Sequence, residues 1–282
     1  MAGYAQPTSL AEAVTLLGDG GWTVLAGGTD VYPALGETPL TSPIMDISRL
    51  GDLRGIAPSP DGGIRIGALT TWTDIVRANL PPAFRALQQA AREVGSVQIQ
   101  NRATIAGNLC NASPAADGVP PLLALDARVE LASRSGNRTL PLSDFIQGNR
   151  KTARDSGELL TFIHVPAAGL RGNSAFFKLG SRRYLVISIA MIAARLAADG
   201  NGIITGAAVA VGACSAVAQR LPALESALIG QNLQAAAGIA APQHLAALSP
   251  IDDVRAPAGY RMDAALEGVR RALTMAGEGA SA

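Results

Sequence analysis

Two glycine-containing motifs carry the residue types with the clearest chemical potential. LAGGTD spans residues 25–30, and TIAGNLCNASPAAD spans residues 104–117. A diphosphate is held best by backbone N–H groups, and residues without bulk let the backbone approach both phosphates. We therefore predict that each motif forms a phosphate-binding glycine loop. The predicted donors are the backbones of Gly27, Gly28, Gly107 and Asn108 and the hydroxyls of Thr29 and Thr104.

Each motif is weak evidence by itself. A single AGGTD is typical of an ordinary strand-to-helix turn. The second motif places Gly, Asn, Ser and Asp in one turn that leads into an apolar helix, and such polar density is costly to bury without a purpose. We expect the Asp30 carboxylate to cap the next helix or to accept backbone hydrogen bonds, because it cannot usefully face a phosphate. Neither motif identifies a particular ligand by physics alone.

The remaining reactive side chains are few. Cys110 and Cys214 are the only cysteines, too few for a four-thiolate metal site or an iron–sulfur cluster and too far apart for a redox pair. Cys110 is predicted to be a small buried apolar residue. His164, in a predicted strand, is interpreted as a surface or rim histidine, and His244 as solvated. We expect no metal chemistry on this chain.

The composition excludes several classes of protein. The 282 residues are 48% hydrophobic and 16% charged, with a formal net charge of +1. This balance gives no electrostatic attraction for nucleic acid or for an anionic membrane surface. No apolar run approaches the roughly eighteen residues of a membrane span. The first residues also lack a secretory signal pattern, so we expect a cytoplasmic protein.

Short strands and helices alternate around the two motifs. A helix capped by Ser9 precedes the strand that ends in LAGG, and a helical turn follows Asp30. Short strands fill 44–69, two helices follow, and GELLTFIHVP at 157–166 predicts a strand. From Ser174 onward, three long apolar segments predict three antiparallel strands, and an alanine-rich helical tail covers them.

Taken together, the two motifs resemble the flavin subunit of the xanthine dehydrogenase and carbon monoxide dehydrogenase family. GELLTFIHVP and SAFFKLGSRR also match the family, so the resemblance covers nearly the whole chain. It implies an α+β fold. Residues 1–168 would form a two-lobed FAD-binding domain of the PCMH type, similar to vanillyl-alcohol oxidase, with lobes of about 1–55 and 56–168. Residues 172–278 would form a C-terminal domain of a three-stranded antiparallel sheet with helices.

The resemblance also implies a set of FAD-contacting residues. Residues 25–32 and 104–108 would surround the diphosphate and the inner flavin, whereas Asn111 and Asp117 would reach the ribose or adenine. Ala106 stands where many members have a second glycine. Tyr32 and Tyr184 are candidate shields of the flavin ring, and for Tyr184 a position in the core or at a subunit interface is an equal alternative. The implied cofactor-binding residues are Leu25, Ala26, Gly27, Gly28, Thr29, Asp30, Val31, Tyr32, Thr104, Ala106, Gly107, Asn108, Asn111, Asp117, Leu160 and Lys178.

In such a complex this chain would carry electrons rather than transform the substrate. The resemblance implies a large molybdopterin-binding subunit, a small subunit with two two-iron two-sulfur clusters, and two copies of each of the three subunits. Reduced FAD would pass electrons to NAD or another acceptor. Because neither histidine lies in a motif, we expect noncovalent FAD. A stand-alone flavin oxidase and a cofactor-free scaffold remain alternatives, whereas AGGTDV does not fit a Rossmann dehydrogenase.

Overall fold

The computed structural model describes residues 3–39, 41–183 and 185–280. The strands are β1 (Tyr4–Ala5), β2 (Thr23–Leu25), β3 (Ile44–Asp46), β4 (Ile56–Pro58), β5 (Ile64–Gly67), β6 (Arg128–Ser133), β7 (Gly136–Pro141), β8 (Ile146–Gly148), β9 (Lys151–Thr152), β10 (Leu159–Val165), β11 (Asn173–Leu179), β12 (Ala190–Ala198), β13 (Ile204–Gly212) and β14 (Gln219–Arg220). The helices are α1 (Leu10–Asp19), α2 (Val31–Leu35), α3 (Trp72–Arg77), α4 (Arg85–Glu93), α5 (Val97–Gln100), α6 (Ile105–Asn111), α7 (Val119–Ala124), α8 (Leu142–Phe145), α9 (Pro222–Leu228), α10 (Ala236–Ile239) and α11 (Ala258–Ala280). None of the helices in these ranges is long and apolar enough to cross a membrane.

A small parallel sheet positions the first motif. Its strand order is β1–β3–β2. Helix α1 begins after Ser9, whose side chain accepts a hydrogen bond from the Glu12 amide, as predicted. The apolar face of α1, including Ala13 and Leu17, shares a core with Met45 of β3. Strand β2 ends at Leu25, so the first motif starts at the edge of this sheet.

An antiparallel sheet in the order β4–β5–β10–β6–β7 positions the second motif. Strand β10 is the predicted GELLTFIHVP strand and lies at the centre. A register shift between Leu160 and Phe162 interrupts the alternation of side chains, so that Leu160 and Ile163 both enter the same core as Trp72 of α3 and Leu109 of α6. Burial on this face holds α6, and with it the second motif, against the sheet.

The C-terminal sheet has four strands in the order β11–β12–β13–β14, rather than the three that the sequence predicted. The additional strand is the two-residue β14, in which Arg220 pairs with Ala210. Two residues are too short to produce a periodic pattern. The guanidinium of Arg220 fixes them instead, because it binds Glu225 at 2.5 Å and Asp126 at 2.7 Å.

The alanine-rich tail is also less helical than predicted. Between α9 and α11 the chain forms α10, which has only four residues, flanked by 3₁₀ turns at Leu233–Ala235 and Pro242–Leu245. Pro242 prevents α10 from continuing, and Gly238 within α10 lowers its helix propensity. Helix α11 forms as expected and buries Ala265, Val269, Ala272 and Leu273 in the core of the C-terminal sheet.

Arg195 joins the C-terminal sheet to the preceding part of the chain. It lies on β12 with 8% of its side chain exposed. Its Nε donates to the Ala124 carbonyl at 2.7 Å, Nη1 donates to the Arg171 carbonyl at 3.2 Å, and Nη2 binds the Asp126 carboxylate at 3.0 Å. A buried guanidinium with all these partners is a strong and specific link.

Candidate cofactor site

The two motifs meet at one large cavity of about 790 Å³. Its volume is within the range of ligand-binding pockets. The lining includes residues 26–31 of the first motif and Leu159 and Leu160 of β10. From the second motif, the lining residues are Thr104, Ala106, Gly107, Asn108, Cys110, Asn111, Ser113, Ala115, Ala116 and Asp117.

The first motif presents unused backbone donors to this cavity. The amides of residues 27–31 donate no hydrogen bond to any other described residue, although the carbonyls of Gly28 and Asp30 accept bonds from helix α2. Gly28 has a φ of +77°, a left-handed conformation found in backbone turns that bind anions. The loop is therefore a set of N–H groups that are available to an anion.

Glycine is required at position 27 for steric reasons and is favoured at position 28 by the positive φ. A Cβ atom built on Gly27 would overlap the carbonyl oxygen of Arg102, and one on Gly28 would lie 2.7 Å from the Tyr32 ring. The first of these contacts brings the first motif against the backbone that leads into the second. The close approach of the motifs thus depends on the absence of a side chain at Gly27.

The second motif is a helix rather than the predicted glycine loop. Thr104 occupies the N-cap of α6, and its hydroxyl accepts from the Gly107 amide at 3.1 Å. The Asn108 amide donates to the Thr104 carbonyl, and the amides of Ile105 and Ala106 donate to the carbonyls of Thr70 and Ala68. These backbone donors are already used, so the prediction that Gly107 and Asn108 offer free amides was wrong.

Side chains of the second motif and its surroundings nevertheless retain unused hydrogen-bonding atoms. Asn108 Oδ1 and Trp72 Nε1 are buried, and neither has a partner among the described residues. Both residues line the cavity. Gly118 allows them to pack closely, since an added Cβ would clash with the Trp72 ring and lie 3.0 Å from Asn108 Oδ1. Buried polar atoms without partners are rare in folded proteins and indicate a missing ligand or water.

Asp30 connects the motifs instead of capping helix α2. It occupies the N-cap position but makes no side-chain capping bond. Its Oδ1 accepts from Asn111 Nδ2 at 3.2 Å. Burial raises the pKa of the Asp30 carboxyl, and the nearby Arg150 opposes this shift. The predicted capping role was therefore wrong, but Asp30 and Asn111 are brought together at the cavity.

Asp117 and Lys178 form a buried ion pair. Lys178 Nζ lies 2.7 Å from Asp117 Oδ2, with only 8% and 10% of the two side chains exposed. Ser188 donates to Asp117 Oδ1 at 2.9 Å. Burial raises the pKa of Asp117, whereas Lys178 and Ser188 act in the opposite direction. The pair joins the second motif to β11. Asp117 lines the cavity, whereas Lys178 binds the Asp117 carboxylate from outside the cavity lining.

Several cavity residues were not predicted from the sequence. Both tryptophans, Trp22 and Trp72, line it, as do Arg154 and residues 185–187. Arg154 is held by the carbonyls of Glu158 at 2.7 Å and Asp155 at 3.2 Å. The sequence signal for these residues was a tryptophan beside a strand, Trp22, and a tryptophan at the start of a helix, Trp72. The same pattern is equally typical of a core position.

Other predicted residues lie away from the lining. Leu25 is buried beside the cavity, Lys178 lies behind Asp117, and Tyr32 is 61% exposed with its ring against Gly28. Tyr184 lies outside the described residues. His164, at the sheet face, lies 2.8 Å from Glu130. His244 was predicted to be solvated, but it is half-buried and its Nδ1 accepts from the Ala241 amide.

The described residues contain no group of three or more His, Cys, Asp or Glu side chains that could hold a metal ion. The cavity instead combines unused amides, apolar walls and isolated polar atoms. This donor set suits a phosphate-bearing cofactor with large flat rings, because the amides bind phosphate and the apolar walls bind rings. The fold and the site define a dinucleotide-binding protein that lacks the Rossmann glycine pattern.

Comparisons with known proteins give the family. Residues 1–168 match the family model described as "FAD binding domain in molybdopterin dehydrogenase", and residues 175–276 match "CO dehydrogenase flavoprotein C-terminal domain". The xanthine dehydrogenase FAD-binding subunit of Escherichia coli O157:H7 is 37% identical over 205 residues, covering 71% of this chain and 70% of that protein. The carbon monoxide dehydrogenase medium chain of Hydrogenophaga pseudoflava is 31% identical over 283 residues, covering 97% and 96%.

Comparison with solved structures supports the same family. A solved carbon monoxide dehydrogenase from Hydrogenophaga pseudoflava, which lacks the Mo-pyranopterin moiety of its cofactor, superimposes with a TM-score of 0.85 at 30% identity and covers 98% of this chain and 96% of that chain. The chain therefore belongs to the FAD-binding subunits of the xanthine dehydrogenase and carbon monoxide dehydrogenase family of molybdenum hydroxylases.

Proposed function

We propose that this chain holds FAD noncovalently in the cavity and passes electrons from an iron–sulfur subunit to NAD or another acceptor. The observation that carries the proposal is the run of five unused amides at residues 27–31. These residues line a cavity that residues of the second motif also line. FAD, when bound, supplies electron-transfer chemistry that no side chain can provide.

The diphosphate of FAD would bind the amides of the first motif. Thr29 adds a hydroxyl donor, and Arg154 adds a positive charge to the cavity wall. Asn108 Oδ1 and Trp72 Nε1 would find partners on the cofactor. Asp117 and Asn111 would contact its sugar or ring systems, and Leu160 would pack against a ring. In this arrangement the protein binds, orients and shields FAD, and contributes no acid or base.

We further propose that residues 1–168 form a two-lobed PCMH-type FAD domain and that residues 172–278 form the C-terminal domain. The partners would be a large molybdopterin-binding subunit and a small iron–sulfur subunit, with two copies of each chain. The names of the relatives, FAD-binding subunit and medium chain, support such an assembly. Leu185 and Ile187 are 56% and 59% exposed and line the cavity, which favours coverage by a partner.

The test is the visible absorption spectrum of the purified chain, combined with chromatography of the small molecule released by heat. Close to one FAD per chain is expected. Gly27→Ala should lose FAD because the new Cβ overlaps Arg102, whereas Gly51→Ala, where a Cβ meets nothing, should retain it. A colourless wild-type chain that does not bind added FAD would overturn the proposal and favour a cofactor-free scaffold.

A further inference from the structure

The cofactor cavity has two ends with different surroundings. At one end, Glu93 and Val186 also line a second cavity of about 530 Å³. At the other end, Thr23 and Asn111 also line a third cavity of about 300 Å³. Among the described residues, the second and third cavities share no lining residue. The cofactor cavity therefore extends from one to the other, and we call its two ends the Glu93 end and the Asn111 end.

The Glu93 end is the end that a redox partner can reach. Leu185 and Ile187, on either side of Val186, line the cavity here, and more than half of each side chain is exposed. A flavin that exchanges electrons with another protein needs its ring where that protein can approach. The Glu93 end suits the ring, which leaves the Asn111 end for the adenosine half of FAD.

Arg154 is the one cationic side chain among the described residues that line the cavity. Burial raises the pKa of the Cys110 thiol to about 11, and the nearby charge of Arg154 opposes this shift. The guanidinium is therefore close to Cys110, which directly precedes Asn111 in helix α6. Arg154 thus belongs to the Asn111 end of the cavity.

Arg154 is anchored without being neutralised. Its Nη1 donates to the carbonyls of Glu158 at 2.7 Å and Asp155 at 3.2 Å. The Glu158 carboxylate is not available to it, because Arg138 binds both carboxylate oxygens, at 2.5 and 2.7 Å. The Nε and Nη2 groups of Arg154 have no partner in residues 3–39, 41–183 and 185–280. The guanidinium therefore keeps its charge and unused donors beside the cavity.

Trp22 gives the same part of the wall a second flat group. The indole is half-buried, lines the cavity and packs against the core that contains Ile47 and Leu159. Leu159 directly follows Glu158, whose carbonyl anchors Arg154. Guanidinium planes and indole rings stack on nucleic-acid bases, and guanidinium N–H groups can donate to the ring nitrogens of adenine. Together these two side chains suit an adenine ring.

We propose that Arg154 and Trp22 bind the adenosine half of FAD and make the site selective for FAD over FMN, which lacks that half. This specificity rests on the proposed FAD-binding function. Neither residue belongs to the two glycine-containing motifs, so the determinants of selectivity are separate from the amides that bind phosphate. Substitution of either residue should weaken the binding of FAD but not that of FMN.

The test is calorimetric titration of the apo-protein with FAD and, separately, with FMN. The wild type is expected to bind FAD at least about tenfold more tightly than FMN, because a stacked base adds affinity. Arg154→Gln and Trp22→Leu should each weaken FAD binding at least about fivefold and change FMN binding less than about twofold. Arg128→Gln is the matched control. Arg128 is exposed, also contacts a carbonyl and lies outside this lining, so its loss should leave both affinities unchanged.

A further variant separates recognition of adenosine from attraction of the diphosphate. Arg154→Lys keeps the charge but loses the planar group, so FAD binding should stay at least about fivefold weaker than in the wild type. Full recovery of FAD affinity in this variant would show that charge alone suffices, and would overturn the role of Arg154 in adenosine binding.

The remaining outcomes are distinct. A wild type that binds FMN as tightly as FAD would overturn the selectivity, although FAD binding would stand. Equal losses of FAD and FMN affinity in Arg154→Gln or Trp22→Leu would assign that residue a structural role and also contradict the proposal. A wild-type protein that binds neither flavin would instead count against the proposed function itself.

Discussion

Asn111 Nδ2 lies 3.2 Å from Asp30 Oδ1, and this hydrogen bond joins the two motifs through residues that are 81 positions apart in sequence. It connects the end of helix α6 to the loop whose amides are unused. The bond therefore helps to set the relative position of the two sides of the cofactor cavity.

Asn111→Ala should weaken FAD binding up to about tenfold, because a hydrogen bond of this kind is worth about 1 kcal/mol and a factor of ten corresponds to about 1.4 kcal/mol. The measurement is a fluorescence titration of the apo-protein with FAD. Asn137→Ala is the control, since Asn137 makes a bond of the same length to Glu130 on the surface. Equal effects of the two substitutions would show that Asn111 has no specific role.

Gly28→Ala should reduce FAD affinity far more than Gly21→Ala. Both glycines have φ close to +80°, so both substitutions strain the backbone. Only at Gly28 does the new Cβ meet another group, the Tyr32 ring. Urea unfolding should show a similar backbone cost of about 1 kcal/mol for both variants, with a further loss at Gly28. If both variants bind FAD equally well, the loop at Gly28 is not a binding element.

Lys178→Met should destabilise the protein by about 3–5 kcal/mol, because it leaves the Asp117 carboxylate buried without its cation. The loss should be greatest at high pH and should decrease as the pH falls, since protonation of Asp117 removes the buried charge. Adding Asp117→Asn should restore part of the stability. Lys151→Met is the control, since Lys151, the only other lysine, is exposed. Chemical unfolding between pH 5 and 8 measures these differences.

Trp72→Phe should weaken FAD binding. The indole Nε1 is buried without a partner in the described structure, so the substitution removes an unsatisfied donor, but the smaller ring also leaves a cavity because Trp72 is fully buried. If FAD accepts a hydrogen bond from this group, the variant should bind FAD several-fold more weakly. An unchanged FAD affinity would contradict this role for Trp72.

Both cysteines should react slowly with iodoacetamide at pH 8. Burial raises the pKa of Cys110 to about 11 and that of Cys214 to about 11, and only the thiolate reacts. The rate should rise with pH towards that value, and both thiols should react quickly in urea. Because only Cys110 lines the cavity, FAD should protect Cys110 more than Cys214, as mass spectrometry of the labelled peptides can determine.

The local elements around the motifs were predictable because their signals lie within a few residues. Ser9 caps α1, and the alternation at the end of β10 places Ile163 and Val165 in one core. Helix α6 was mistaken for a loop because Gly107 and Asn108 are typical of turns. The hydroxyl of Thr104 and the carbonyls of Ala68 and Thr70 satisfy the backbone there, and the latter contacts depend on tertiary structure.

Contacts between residues far apart in the chain could not be predicted from local sequence patterns. The contact of Gly27 with Arg102, the pairing of Asp30 with Asn111, and the short strand β14 all arise from groups that the fold brings together. The resemblance supplied Lys178 and Asp117 as cofactor residues, but their ion pair was visible only in three dimensions. The tryptophans were missed because a position in the cavity wall and one in the core give the same sequence signal.

Arg195 restricts how this chain can be divided or recombined. Its guanidinium, from the C-terminal sheet, satisfies carbonyls of Ala124 and Arg171 and the carboxylate of Asp126. A chimaera that exchanges the C-terminal half with that of a relative must therefore inherit both the arginine and the backbone geometry that receives it. If the two halves were expressed separately, the Arg195 guanidinium on one and its acceptor groups on the other would both lack their partners. In natural relatives, substitutions at Arg195 should therefore occur together with substitutions around its acceptors.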